Sequence, residues 1–197
     1  IGRDSQDPLP YMGRSLAQAS LEQHRFSSQD LDQAVRLLQE SQTSTGNIQI
    51  SAEALILQGQ AYLDLELTGL AETLFGAISG FTLTPEDYNT RGLVYHRFGQ
   101  YDEAVADFSQ SISSHTNPVD SAQTHVDRGN AYIGLGRYRA AFEDFDLAID
   151  LVKGHLQSGE PRFFTYFFGR ALANFNLGNH QKAVGDLNRA INSFDHP

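Results

Sequence analysis

Small, aromatic and alanine positions recur along the chain at spacings that are typical of packed helices. A small residue such as Gly92 is followed three positions later by an aromatic residue, Tyr95. Ala104 stands nine positions after that tyrosine, and Phe108 follows four positions later. Because residues three or four apart share one face of an α-helix, the pattern predicts two helices joined by a turn at Phe98-Gly99-Gln100.

The same pattern occurs four times, and the spacing inside each unit is constant. The four sets are Gly59, Tyr62, Ala71, Phe75; Gly92, Tyr95, Ala104, Phe108; Gly129, Tyr132, Ala141, Phe145; and Ala171, Asn174, Ala183, Leu187. Successive sets are offset by 33, 37 and 42 residues, so the connections between units vary in length. One helix pair cannot bury its apolar face alone, and we therefore expect the units to stack.

This spacing resembles the tetratricopeptide repeat family over roughly residues 52–193. The resemblance implies an all-α fold, an α-solenoid of antiparallel helix pairs that winds into a right-handed superhelix. It also implies a concave groove, lined by the first helix of each pair, that holds a peptide or a helix. The chain departs from the family at the usual first-helix tryptophan, where Leu55, Tyr88, His125 and Phe167 stand instead.

The pattern also predicts how the chain is organised. Residues 1–10 are expected to be an extended or disordered lead-in, and residues 11–197 a single helical repeat domain. A degenerate pair at 11–41 is expected to cap the array, with Ser28 capping its second helix. The repeats are expected at about 52–80, 85–114, 122–152 and 164–193, with longer connections near 113–120 and 153–161.

An arginine and an aspartate accompany three of the four sets. Arg91, Arg128 and Arg170 precede the small residue, and Asp107, Asp144 and Asp186 precede the Phe or Leu. We interpret each pair as a tie between helices of one unit or of adjacent units. A ligand-binding role is the alternative.

Composition narrows the classes of partner. The net charge of −10 disfavours nucleic acid and anionic membrane surfaces, and a protein or peptide partner fits better. No apolar run is long enough to span a membrane, and the absence of cysteine excludes disulfides and thiolate metal sites. The chain begins with Ile1, so we expect it to be processed or excised from a longer one. A cytoplasmic location is favoured, with removal of a signal peptide as the alternative.

The sequence offers no pattern typical of an enzyme. Seven histidines are present, but none forms an H-E-x-x-H motif or a pair four residues apart. His96 and His125 lie on first helices of consecutive units, where groove or packing roles are favoured over a metal site. We therefore predict no catalytic residue, no metal and no cofactor, with a metal-dependent hydrolase as a remote alternative.

The predicted function is a non-catalytic scaffold, adaptor or assembly factor that binds a partner peptide or helix. Its groove lacks the Lys/Arg–Asn set with which chaperone-binding relatives clamp a terminal carboxylate, and its C-terminal end is apolar. One alternative is a homodimer formed through that apolar end, and another is the peptide-sensing module of a larger regulator. The predicted groove residues are Asn89, Leu93, His96, Arg97, Val126, Asn130, Ile133, Phe168, Leu172 and Phe175.

Overall fold

The computed structural model describes residues 7–43, 52–78, 83–115, 117, 119, 121–153 and 161–193. All regular elements in these ranges are α-helices, as predicted from the repeat pattern. In chain order they are α1 (Leu9–Ser20), α2 (His24–Thr43), α3 (Ala52–Asp64), α4 (Thr68–Ile78), α5 (Pro85–Arg97), α6 (Tyr101–Ser114), α7 (Ala122–Gly134), α8 (Tyr138–Val152), α9 (Pro161–Asn176) and α10 (His180–Asn192). They form two compact units, residues 1–83 and 84–197.

The first unit contains α1 to α4, in two pairs. Within it, α1 packs on α2 and α3 packs on α4, while α1 also touches α3 and α2 touches α4. Helix α1 begins at Leu9, two residues earlier than expected, and residues 1–6 lie outside the described residues. The prediction that Ser28 caps α2 is wrong, because α2 begins at His24 and Ser28 lies inside it.

The second unit contains three pairs, α5–α6, α7–α8 and α9–α10. Phe145 of α8 is fully buried at the centre of a cluster that also takes Val126 from α7 and Tyr166 from α9. Phe108 of α6 occupies the same repeat position and packs against Ala131 of α7. Within the second unit, Phe108 and Phe145 therefore each join their own pair to the next one, which is how stacked repeats share a core.

The close packing inside each pair depends on the repeated small residue. A Cβ atom added to Gly92 would lie 2.7 Å from Cε1 of Phe108, and one added to Gly129 would lie 3.0 Å from Cζ of Phe145. Both rings are fully buried. Glycine at this position therefore lets the two helices of a pair approach each other closely.

The turn between the two helices of a pair has one geometry throughout. In the third set, Arg137 N–H donates to the Tyr132 carbonyl at 2.8 Å and Gly136 N–H to the Ile133 carbonyl at 2.9 Å, which is the Schellman arrangement. This arrangement places the seventh residue after the small residue in the left-handed region, with φ of 68° at Gly136. Glutamate occupies the same turn position at Glu22 and Glu66, with φ of 59° and 60°.

Candidate protein-interaction surface

The predicted Arg–Asp ties are present, and each one joins the two helices of a single pair. Arg128 donates from Nε and Nη2 to the two carboxylate oxygens of Asp144, at 2.8 and 2.7 Å. The Arg91–Asp107 and Arg170–Asp186 pairs have the same two-bond geometry. Because the carboxylates are buried and already paired, these residues are structural ties and offer no open charge to a ligand.

His125 adds a third donor to one of these ties. It is 5% exposed, and its Nδ1 lies 2.9 Å from Oδ1 of Asp144. Burial alone would raise the pKa of Asp144, but the hydrogen bonds from Arg128 and His125 outweigh burial and lower that pKa. His96 makes a different contact, an edge-on packing with the Tyr101 ring at 5.3 Å between ring centroids. The two histidines therefore have separate packing roles.

The capping pair contains a fourth tie that the sequence interpretation missed. Arg14 of α1 donates from two nitrogens to Asp30 of α2, and these residues are 16 positions apart, like Arg128 and Asp144. In this register Ser15 stands where the other pairs have glycine or alanine, and its hydroxyl donates to the Ser27 carbonyl at 2.6 Å. A search for Arg and Asp at a spacing of 16, rather than for Gly and Tyr, would have found it.

The first helices of the second unit lie side by side, with α7 between α5 and α9. The residue after the small position points outward on all three helices: Leu93 is 45% exposed, Asn130 is exposed and Leu172 is 38% exposed. We call these three residues the groove row. They are three of the predicted groove positions, and two of the three are apolar.

The remaining predicted groove residues differ in their exposure. Arg97, Phe168 and Phe175 are exposed, and Asn89, His96 and Ile133 are partly buried. Val126 is only 2% exposed and belongs to the core cluster around Phe145. Val126 therefore presents almost no surface to a partner, because α9 packs over this part of the α7–α8 pair.

A chain of polar contacts crosses α5, α7 and α9. Asn89 Nδ2 donates to Thr124 Oγ1 at 3.2 Å and to Asp127 Oδ2 at 3.4 Å. Gln123 Nε2 donates to Asp127 Oδ1 at 3.1 Å, and the Tyr166 hydroxyl of α9 donates to Gln123 Oε1 at 3.4 Å. Asp127 therefore lies at the centre of the surface formed by the three helices.

Asp127 differs from the tied aspartates in its partners. It is partly exposed, and both of its hydrogen-bond donors are neutral amides. Within the described ranges its carboxylate forms no ion pair with an arginine or a lysine. Burial raises the pKa of Asp127 above its ordinary value, and the two amide hydrogen bonds and the nearby His96 offset only part of that rise.

Sequence reasoning overlooked Asp127 as a functional candidate. It stands two positions before Gly129, where the other sets have Leu57, Thr90 and Gly169. A carboxylate at a position that is otherwise uncharged in the four sets was the available signal.

Neither a metal cluster nor a membrane-spanning helix occurs among the described residues. No three metal-binding side chains of the His, Cys, Asp or Glu type come together in the part of the chain that the structure describes. Among those same residues, no helix is both long and apolar enough to cross a membrane.

Comparison with known families decides the classification. The family model described as "Tetratricopeptide repeat" matches residues 89–155 and 126–195, which together span more than half of the chain. The chain belongs to the tetratricopeptide repeat family. Members typically form non-catalytic modules, and the tetratricopeptide fold supports a protein–protein interaction scaffold. No curated protein sequence matches the chain significantly.

Solved structures show the same fold at low sequence identity. MamA (MSR-1) is 20% identical with a TM-score of 0.58, and the alignment covers 95% of this chain and 97% of MamA. MamA (AMB-1) is 19% identical with a TM-score of 0.58, covering 94% and 98%. YrrB, described as a tetratricopeptide protein with an unusual peptide-binding site, is 18% identical with a TM-score of 0.59, covering 95% and 87%. At these identities the likeness concerns the fold alone.

Proposed function

We propose that the chain is a non-catalytic scaffold that binds a basic, partly apolar segment of a partner protein along α5, α7 and α9. The observation that carries this proposal is the Asp127 carboxylate, which is partly buried among first helices and has only neutral hydrogen-bond donors. A lysine or arginine side chain from a partner would supply the missing positive charge. The groove row would supply apolar contact through Leu93 and Leu172.

Charge supports a basic partner over an acidic one. The chain carries 24 acidic and 14 basic residues, so its long-range field attracts a cationic segment and speeds its encounter with the groove. A charged pair formed at a partly desolvated site gains more than one formed in open solvent, because screening by water is weaker there. YrrB, which shares the fold, has a peptide-binding site, and this supports a peptide as the kind of ligand for this chain.

The proposal is tested by selecting binders from a displayed library of random peptides on the purified chain. We expect the enriched sequences to contain a lysine or arginine beside apolar residues. One selected peptide is then titrated into the wild type and into the Asp127→Asn, Leu93→Asn and Glu143→Gln variants. Glu143 is exposed on the second helix α8, outside the groove, and serves as the control for loss of a surface charge.

The expected result is that Asp127→Asn and Leu93→Asn each weaken binding at least about tenfold, a loss of roughly 1.4 kcal/mol, while Glu143→Gln leaves binding unchanged. Enrichment of acidic peptides would contradict the proposal. Equal affinity for the wild type and for Asp127→Asn would contradict it as well.

A further inference from the structure

The last helix pair exposes a set of apolar repeat positions. In the preceding pair, α7–α8, the equivalent positions are covered. In α7 and α8 these positions lie in the core cluster or against it, together with Tyr166 and Ala173 of α9. Val126 is 2% exposed, Phe145 is fully buried and Ile149 is 8% exposed. The full set in this pair is Val126, Ile133, Phe142, Phe145 and Ile149.

The equivalent residues of α9 and α10 are exposed although they are just as apolar. They stand 42 positions later, they range from 38% to 59% exposed, and we call them the tail face: Phe168, Phe175, Val184, Leu187 and Ile191. An open cavity of about 390 Å³ lies among them, lined almost wholly by apolar side chains of α9 and α10. By register, the tail face is therefore a surface that receives another helix pair.

The way α9 packs on α8 shows what such a surface receives. A Cβ atom added to Gly169 would lie 2.3 Å from Cε1 of Phe145, so the α9 backbone lies directly against that ring. Ala173, one turn later, is fully buried, and Leu177 stands four residues beyond it. A helix that packs on this surface in the same way therefore offers glycine and alanine four positions apart.

Helix α1 and the turn after it carry the same three residue types at the same intervals, 156 positions earlier: Gly13, Ala17 and Leu21, which we call the head face. Helices α3, α5 and α7 have Leu57, Thr90 and Asp127 at the glycine position, so they do not match. Among the described residues, no other part of the chain beyond the local α1 backbone lies within 4 Å of a Cβ built on Gly13. Ala17 is exposed, and Leu21 is 68% exposed.

We propose that the chain associates head to tail, with α1 of one copy seated on the tail face of the next copy in the way that α9 seats on α8. The charges of the two ends favour pairing of a head face with a tail face. Residues 161–193 carry four basic residues and one acidic residue, whereas residues 7–43 carry five acidic and three basic residues. Because the two faces are different, each copy keeps one open face after pairing, and association continues into longer chains or closes as a ring.

Three matched variants test this assignment by sedimentation velocity of the full 197-residue chain over a wide concentration range. Each variant places an arginine on an exposed position: Ala17→Arg blocks the head face, Val184→Arg blocks the tail face, and Leu147→Arg on α8 is the control, since Leu147 is 44% exposed and belongs to neither face. Circular dichroism and thermal unfolding establish that all three variants fold. None of these residues belongs to the groove row, so the result is separate from the test of peptide binding.

We expect the wild type and Leu147→Arg to grow beyond the 21.8 kDa of one chain as concentration rises. Each blocked variant should stay monomeric over the same range, with association weakened at least about tenfold. A mixture of the two blocked variants should form a one-to-one dimer, because one partner keeps an intact tail face and the other an intact head face.

Two results would overturn the proposal. A folded wild type that remains monomeric at every concentration excludes head-to-tail pairing. If Ala17→Arg still dimerises while Val184→Arg does not, the tail faces pair with each other and the head face takes no part.

Discussion

Removal of the Asp144 carboxylate should destabilise the second unit strongly. The substitution Asp144→Ala leaves Arg128 without two hydrogen bonds of 2.8 and 2.7 Å, and leaves His125 without one of 2.9 Å. The side chains of Arg128 and His125 are 20% and 7% exposed, so water replaces these bonds poorly. Breaking a buried ion pair by removing one partner costs about 3–5 kcal/mol. Arg128 keeps its hydrogen bond to Ser109. We therefore expect the free energy of unfolding to fall by about 3 kcal/mol, the lower end of that range.

The control is an ion pair that is open to solvent. Asp102 and Arg137 lie 3.0 Å apart, with side chains 66% and 53% exposed, so Asp102→Ala should cost only about 0–1 kcal/mol. The assay is urea unfolding followed by circular dichroism, with thermal unfolding as a second probe. A loss of about 3 kcal/mol corresponds to a midpoint lower by roughly 10–20 °C for a cooperative unit of about 100 residues. Equal losses of unfolding free energy for the two substitutions would refute the reasoning. They would show that burial of an ion pair does not set its contribution to stability.

Three further predictions follow from local geometry. Gly169→Ala should lower the free energy of unfolding by about 1–3 kcal/mol because its Cβ would overlap the buried Phe145 ring. Gly185→Ala, with nothing within 4 Å of the added Cβ, should instead stabilise α10 by up to about 1 kcal/mol. Urea unfolding measures both changes. Glu66→Gly should stabilise the first unit by roughly 0.5–1 kcal/mol, since φ is 60° at this turn, and an unchanged unfolding midpoint would argue against strain there. Burial raises the pKa of Asp127, so the folded state holds that proton more tightly than the unfolded state does. Wild-type stability should therefore fall as pH rises from the unfolded to the folded pKa. Asp127→Asn should remove this decrease in stability, as measured by unfolding curves across that pH range. If the decrease persists in the variant, another group is responsible for it.

The helix pairs could be predicted because each one repeats a local pattern that is visible in the sequence. Gly129, Tyr132, Ala141 and Phe145 stand at helical spacings, and the structure places that glycine against that phenylalanine. The Arg–Asp ties were predictable for the same reason, since both residues keep a constant place beside the pattern.

Exposure at single groove positions was harder to predict, because it depends on what packs over each pair. Val126 and Phe168 share one repeat position, yet α9 covers the first and the second is 46% exposed. The capping pair was underestimated because Ser15 and Ser27 replace Gly and Ala there, although Arg14 and Asp30 keep the tie. Asp127 was missed because its importance comes from neighbours on α5 and from the lack of a cationic partner, and neither is a local property of the sequence.

The most direct test of the proposed function is calorimetric titration of a selected basic peptide into the wild type and into Asp127→Asn at two salt concentrations. We predict that the wild type binds more weakly as salt rises, because screening reduces the attraction between the peptide cation and the carboxylate. The Asp127→Asn variant should bind at least about tenfold more weakly at low salt and depend less on salt. Identical affinity and identical salt dependence in the two proteins would contradict the assignment of Asp127 as the charge that a partner recognises.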